Sequence, residues 1–269
     1  MKSFVTLMLC LLSMTTFAQV HDEITSAMEE FDYDKVINLI SPGTKDSLLL
    51  STRIQALKAM NRYPEAIVDL TSLFVKDTTD TKILIDLAEC YKLMGSPRQA
   101  ADYYRKAVSL RPNNKFFRLQ YIRSLLNAEN FKEARDACHG WLEQDTVSAT
   151  GYKYLGQAYE GMQDIPNAFF SYNVAYRRDS LDAQTVARIA NIFNNNRQFT
   201  DAIDVTECYR LSDTTSVDVN RQNAKAYCML KDYKKAIERY ESLKRMGDRS
   251  FLTFYYLGIP VGGINLVHT

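Results

Sequence analysis

The chain has 269 residues, 46% hydrophobic and 24% charged, with 33 basic against 32 acidic side chains. A net charge of +1 gives no electrostatic footprint for nucleic acid or for an anionic lipid surface, and the hydrophobic share is that of a folded chain. Five cysteines, none in a Cys-x-x-Cys pair, support neither a zinc site nor a thioredoxin-like motif, so no metal and no cofactor is expected.

Residues 1–18 read as a secretory signal peptide. Lys2 supplies the positive start, Phe4 to Leu12 the apolar stretch, and Thr16-Phe17-Ala18 a small-x-small cleavage site. That stretch is too short for a membrane span, and none is expected after cleavage. Cys10 is preceded by the bulky Leu9, where a lipidated cysteine needs a small residue, so no lipid anchor is expected there. The remaining chain has no Asn-x-Ser/Thr sequon, which favours a bacterial periplasm or an outer-membrane association over a glycosylating route.

Beyond the signal the sequence carries a regular interval. Ala66, Ala100, Ala134, Ala168, Ala202 and Ala236 recur every 34 residues, the period of a stacked helix–turn–helix array. Residues 19–46 open it irregularly. Phe31 to Val36 repeats the pattern of Asn61 to Ala66, but the step from Val36 to Ala66 is shorter than the interval, so the first repeat is expected to be atypical.

Six 34-residue repeats follow over residues 47–250, and residues 81–114 show their logic most clearly. Leu84, Leu87, Ala88 and Tyr91 fall at i, i+3, i+4, i+7 and share one helical face. Gly95-Ser96-Pro97 ends that helix, and Pro112 ends the next. Ala88 and Ala100 are small where the two helices cross. These residues, with Tyr104 and Ala107, resemble the tetratricopeptide repeat. The resemblance implies an all-α, right-handed superhelical solenoid of antiparallel helix pairs, with about seven repeats.

The repeat over residues 115–148 is looser, with Ile122 at a small position and Trp141 at a usual alanine; packing compensation is expected, Trp141 filling a wider gap. The four cysteines past the signal, Cys90, Cys138, Cys208 and Cys228, fall in predicted helices as small hydrophobes. A Cys208–Cys228 bridge between neighbouring helices is left open. After Gly258 the run Ile259-Pro260-Val261-Gly262-Gly263 breaks the pattern, so residues 251–269 read as a truncated repeat and apolar tail, with self-association through it as the other reading.

No catalytic constellation emerges. His21, His139 and His268 are scattered, and neither a Walker loop nor a Gly-x-Gly-x-x-Gly turn is present, so no enzyme is expected. In the family the first helix of each repeat lines a concave groove. In this register that implies Arg123, Lys153, Gln157, Arg188, Asn191, Asn194, Arg221 and Lys225, a basic, amide-rich row suited to a carboxylate or a peptide backbone. A solvated helix face would show the same residues. Upstream, Leu48, Ile85, Phe116, Leu119 and Leu126 make the groove more apolar.

The family's carboxylate clamp for chaperone tails maps onto Lys153, Gln157, Arg188, Asp218 and Gln222; Asp218 reverses a required charge, so that clamp is not expected. The expected function is an exported scaffold that binds a protein, through a peptide or helix, in the groove. A glycan-capture protein is the alternative, prompted by 17 tyrosines.

Overall fold

A computed structural model describes residues 19–250 and residue 253. The signal segment and, Thr253 apart, the tail lie outside them. Among the described residues every regular element is a helix. Helix α1 covers residues 19–29 and α2 covers Tyr33–Leu39. The first helices of the repeats are α3 (Ser47–Ala59), α5 (Thr81–Leu93), α7 (Lys115–Asn127), α9 (Ala149–Gly161), α11 (Ala183–Asn195) and α13 (Val217–Met229). Their partners are α4 (Tyr63–Lys76), α6 (Pro97–Leu110), α8 (Phe131–Leu142), α10 (Ile165–Arg178), α12 (Phe199–Arg210) and α14 (Tyr233–Arg245). Both sets begin at the interval of the alanines without a slip.

The period is kept by chemistry at the helix ends. Asp46, Asp80, Asn114, Ser148, Asp182 and Ser216 stand just before the first helices, each accepting a bond from a backbone N–H two or three residues on. These bonds satisfy donors that a helix start leaves unpaired. Between the two helices of each repeat, one residue adopts positive φ: Asn61, Gly95, Glu129, Gln163, Arg197 and Lys231, again at the same interval. That left-handed residue reverses the chain, and only one repeat uses the glycine that takes it without strain. The short first step also has a cause: α2 has 7 residues where α4 has 14.

The helices gather into two compact units, one up to Ala128 and one from Glu129 onward. Unit 1 is centred on Val36, Leu50, Leu57, Leu70, Leu87 and their neighbours from α1 to α5. Unit 2 has a core of Tyr172, Val186, Ile189 and Val219, and a second cluster on Ala224, Tyr240 and Leu243. All six alanines of the interval are buried. The facing small position is tight as well: a Cβ on Gly156 of α9 would lie 2.6 Å from ring carbons of Tyr172. Ile122 and Trp141 are each buried in their own unit.

One repeat buries an ion pair between its two helices. Arg53 of α3 and Asp69 of α4 form a buried ion pair, with Arg53 4% and Asp69 1% exposed. The corresponding positions of α13 and α14 are Asn223 and Arg239; Arg239 Nε donates to Asn223 Oδ1 at 3.0 Å, and Arg239 Nη2 to Glu207 at 3.1 Å. The cysteines divide: Cys90 and Cys138 are buried, whereas Cys208 is exposed and Cys228 half-buried, all with free thiols. The bridge left open between Cys208 and Cys228 is therefore not formed, and Cys208 is not the buried hydrophobe expected. Burial pushes the Cys90 thiol up to about 11.

Candidate functional site

In unit 2 the first helices α9, α11 and α13 carry Lys153, Gln157, Arg188, Asn191, Asn194, Arg221 and Lys225. Lys153, Arg188 and Lys225 are tied to neighbouring helix pairs, and Arg221 to acids of its own repeat. Lys153 Nζ lies 3.0 Å from Asp182, the residue capping α11. Arg188 meets Glu160 of α9 at 3.0 Å. Arg221 bridges Asp218 at 2.7 Å and Asp248, past α14, at 3.3 Å. Lys225 donates to Asn195 Oδ1 at 3.2 Å. The row is thus an anchored set of ion pairs, less basic than its residue types alone imply.

The amides are also engaged. Asn194 is buried and donates through Nδ2 to the backbone oxygen and the Oε1 of Gln222, at 3.0 and 3.1 Å. Its Oδ1, like Gln157 Nε2, is buried with no partner. Asn191 is half-buried. Arg123 belongs to unit 1, where it is exposed on α7.

The carboxylates respond to these contacts. Burial works against the charged form of Asp182, but bonds from Thr185 and Lys153 outweigh it and hold its pKa below the ordinary carboxylate value. Glu207 follows the same pattern: burial raises its pKa, and Arg239, Asn223 and Tyr227 together bring it below the usual value.

Unit 1 holds an open cleft of about 490 Å³ between α3, the end of α4 and the start of α5. Ser51, Gln55, Ile54 and Leu73 line it together with Asp77 and Asp80 from the turn between α4 and α5, and Lys58, Lys76 and Lys82 are on its wall as well. Its lining mixes aliphatic, polar and charged residues that match no sequence motif. Of the apolar groove residues expected upstream, Leu48 is 64% exposed and Phe116 49%, while Ile85, Leu119 and Leu126 are half-buried.

Tyrosines available to stack on a sugar are few at the repeat positions. Tyr104 and Tyr172 are fully buried, and burial raises the Tyr104 hydroxyl to about 12. Tyr91 stacks on Tyr103 at 5.6 Å between ring centres. No group of three His, Cys, Asp or Glu among the described residues is placed to hold a metal. No described helix is long and apolar enough to cross a membrane.

Comparison with known proteins agrees with this geometry. Residues 81–114 match the tetratricopeptide repeat family. The DnaJ homolog subfamily C member 7 homolog of Dictyostelium discoideum is 34% identical over 137 residues, 51% of this chain and 23% of that protein. The chain thus matches under a quarter of that relative's length. A tetratricopeptide repeat protein from Parabacteroides merdae has a similar solved structure, with a TM-score of 0.60 at 13% identity, covering 90% of this chain and 98% of that one. YrrB, described as a tetratricopeptide protein with an unusual peptide-binding site, gives 0.50 at 16% identity over 69% and 96%. At such identities the likeness carries the fold alone. The chain thus bears a tetratricopeptide repeat at residues 81–114, and the helix pairs flanking it have the fold of tetratricopeptide-repeat proteins.

Proposed function

We propose that this chain is an exported, non-catalytic scaffold, in the periplasm or at the outer membrane, that captures a protein partner through an extended peptide or a helix. Binding runs along the first-helix row of unit 2, through Lys153, Gln157, Arg188, Asn191, Asn194, Arg221 and Lys225, and Arg123 offers the same kind of contact on α7 of unit 1. The observation that carries the reading is the anchoring of that row. Lys153 and Arg188 are each held by a carboxylate from the neighbouring helix pair, and Arg221 by Asp218 of its own helix and Asp248 past α14, so the polar atoms are fixed before a ligand arrives. Groups already ordered lose less conformational freedom on binding. YrrB, a protein of similar fold with an unusual peptide-binding site, supports the same reading.

The test is a crosslinking pull-down of the full exported chain against the triple variant Lys153→Glu, Arg188→Glu, Arg221→Glu. Loss of the captured partner with helical content unchanged is expected. A second variant, Lys153→Asp with Asp182→Lys, keeps an ion pair while moving its charge, separating binding from folding. Capture unaltered by the triple change would overturn the proposal.

A further inference from the structure

The repeats allow one site to be compared with its own copy. Residues 149–185 of unit 2 stand three repeats after residues 47–83 of unit 1, so Lys153 corresponds to Ser51, Asp179 to Asp77, and Asp182 to Asp80. In unit 2 this position is closed. Lys153 lies across it with its ammonium 3.0 Å from Asp182 and its side chain only 17% exposed. The space left among Ala149, Lys153, Ala175, Asp179, Asp182 and Thr185 is about 20 Å³.

Unit 1 keeps the two acids and lacks the lysine. Ser51 is too short to cross, and the cleft opens to about 490 Å³, within the range of about 300–1,000 Å³ typical of ligand sites. Asp80 accepts its two cap bonds, from Lys82 N and Ile83 N, on Oδ1. Asp77 accepts from Thr79, also on Oδ1. Neither carboxylate has an ion-pair partner among the described residues.

Three lysines also line the cleft, and none of them pairs with Asp77 or Asp80. Lys58 is bound to Asp86 and lies 3.6 Å from Glu89, and Lys76 donates to Lys45 O at 3.1 Å and Ser47 Oγ at 3.4 Å. Lys82 is exposed at the start of α5. The apolar part of the lining is aliphatic and includes Ile54, Leu70 and Leu73, all buried. An aliphatic lining with a pair of carboxylates matches a methylene stem that ends in an ammonium.

We infer that the unit 1 cleft receives the lysine side chain of a bound peptide, in the place that Lys153 fills from within in unit 2. The inference rests on the reading of the chain as a peptide-binding scaffold and adds the chemistry of one anchor residue. The peptide's ammonium reaches Asp80 and Asp77, and its stem lies over Ile54 and Leu73. No covalent step is involved.

The test uses the full chain and two probes: Ac-Ala-Ala-Lys-Ala-Ala-amide and its twin with norleucine in place of lysine. Binding is followed by amide NMR. The lysine peptide is expected to give saturable shifts confined to residues 47–86, with a Kd about tenfold below that of the norleucine twin, the factor that one charge-assisted contact supplies. Ser51→Lys should abolish the effect by filling the cleft from within, while Ser51→Ala should keep it. Lys153→Ser should open a second responsive region over residues 149–185. Equal affinity of the two peptides, or undiminished binding by Ser51→Lys, would overturn the inference. If both peptides fail while the triple variant of α9, α11 and α13 still loses its captured partner, the cleft assignment falls and the scaffold reading stands.

Discussion

Replacing Asp69 by leucine removes the carboxylate bonded to Arg53. The guanidinium is 4% exposed, its Nε has no partner, and the next acid, Glu65, lies 4.0 Å from Nη2. Removing one partner of a buried ion pair costs about 3–5 kcal/mol, because the other charge remains out of water. The pair itself is not a source of net stability. Burial pushes the Asp69 carboxyl above its ordinary value, and Arg53 offsets this only in part. A raised carboxylate contributes stability that is full below its unfolded pKa and is lost as pH rises through the folded one, so at neutral pH its titration opposes folding. The double change Arg53→Met with Asp69→Leu should therefore restore wild-type stability or exceed it by about 1–4 kcal/mol. Native-state hydrogen exchange of the α3 and α4 amides is the assay. Asp69→Leu should cut their protection about a hundred- to several-thousand-fold at pH 7. A loss below about tenfold, or a double variant as weak as the single one, would refute the reasoning.

Gly156→Ala should destabilise by about 1–3 kcal/mol, lowering Tm by about 2–4 °C per kcal/mol, since its Cβ would lie 2.6 Å from the Tyr172 ring; an unchanged Tm would show that the ring yields freely. Arg197→Gly and Lys231→Gly, at φ 62 and 64, should each raise the urea midpoint by the equivalent of about 0.5–1 kcal/mol at constant m, and a lowered midpoint would contradict the strain assigned to these turns. Asp182 and Glu207 titrate below their ordinary values of 3.8 and 4.5, so their stabilisation is present above those values and is lost as pH falls through the lower folded ones. Thermal stability should fall from pH 5 toward pH 2 on that account, and Glu207→Gln should lower stability at pH 7 and flatten the slope; an unchanged slope would exclude Glu207 as a source.

The helix-pair fold was legible because it repeats. A buried alanine once in every repeat, with matching apolar positions, gave the register of α3 to α14, and the structure places each helix in that register. The capping residues Asp46 to Ser216 recur just as regularly in the sequence and could have been read from it. Contacts between repeats were not legible. Lys153 and Asp182 are far apart in the chain and meet only because α9 and α11 stack, so a row that reads as basic is largely paired. The charges at Arg53, Asp69 and Arg239 did leave a signal, since these positions carry Leu87, Tyr103 and Val205 in other repeats. A charged residue at a core position marks a buried pair once the register is known. The unit 1 cleft depends on what Ser51 fails to fill, and a missing side chain leaves no motif.

Whether the first-helix row is the binding face can be read from a photocrosslinking amino acid placed one site at a time in the exported chain. Asn191 on α11 lies in the proposed groove, and Phe170, 65% exposed, lies on the second helix α10 of the same unit. A probe at position 191 should crosslink a protein partner, and the triple charge reversal should remove that crosslink, while position 170 stays silent. Crosslinking from position 170 with none from 191 would contradict the account.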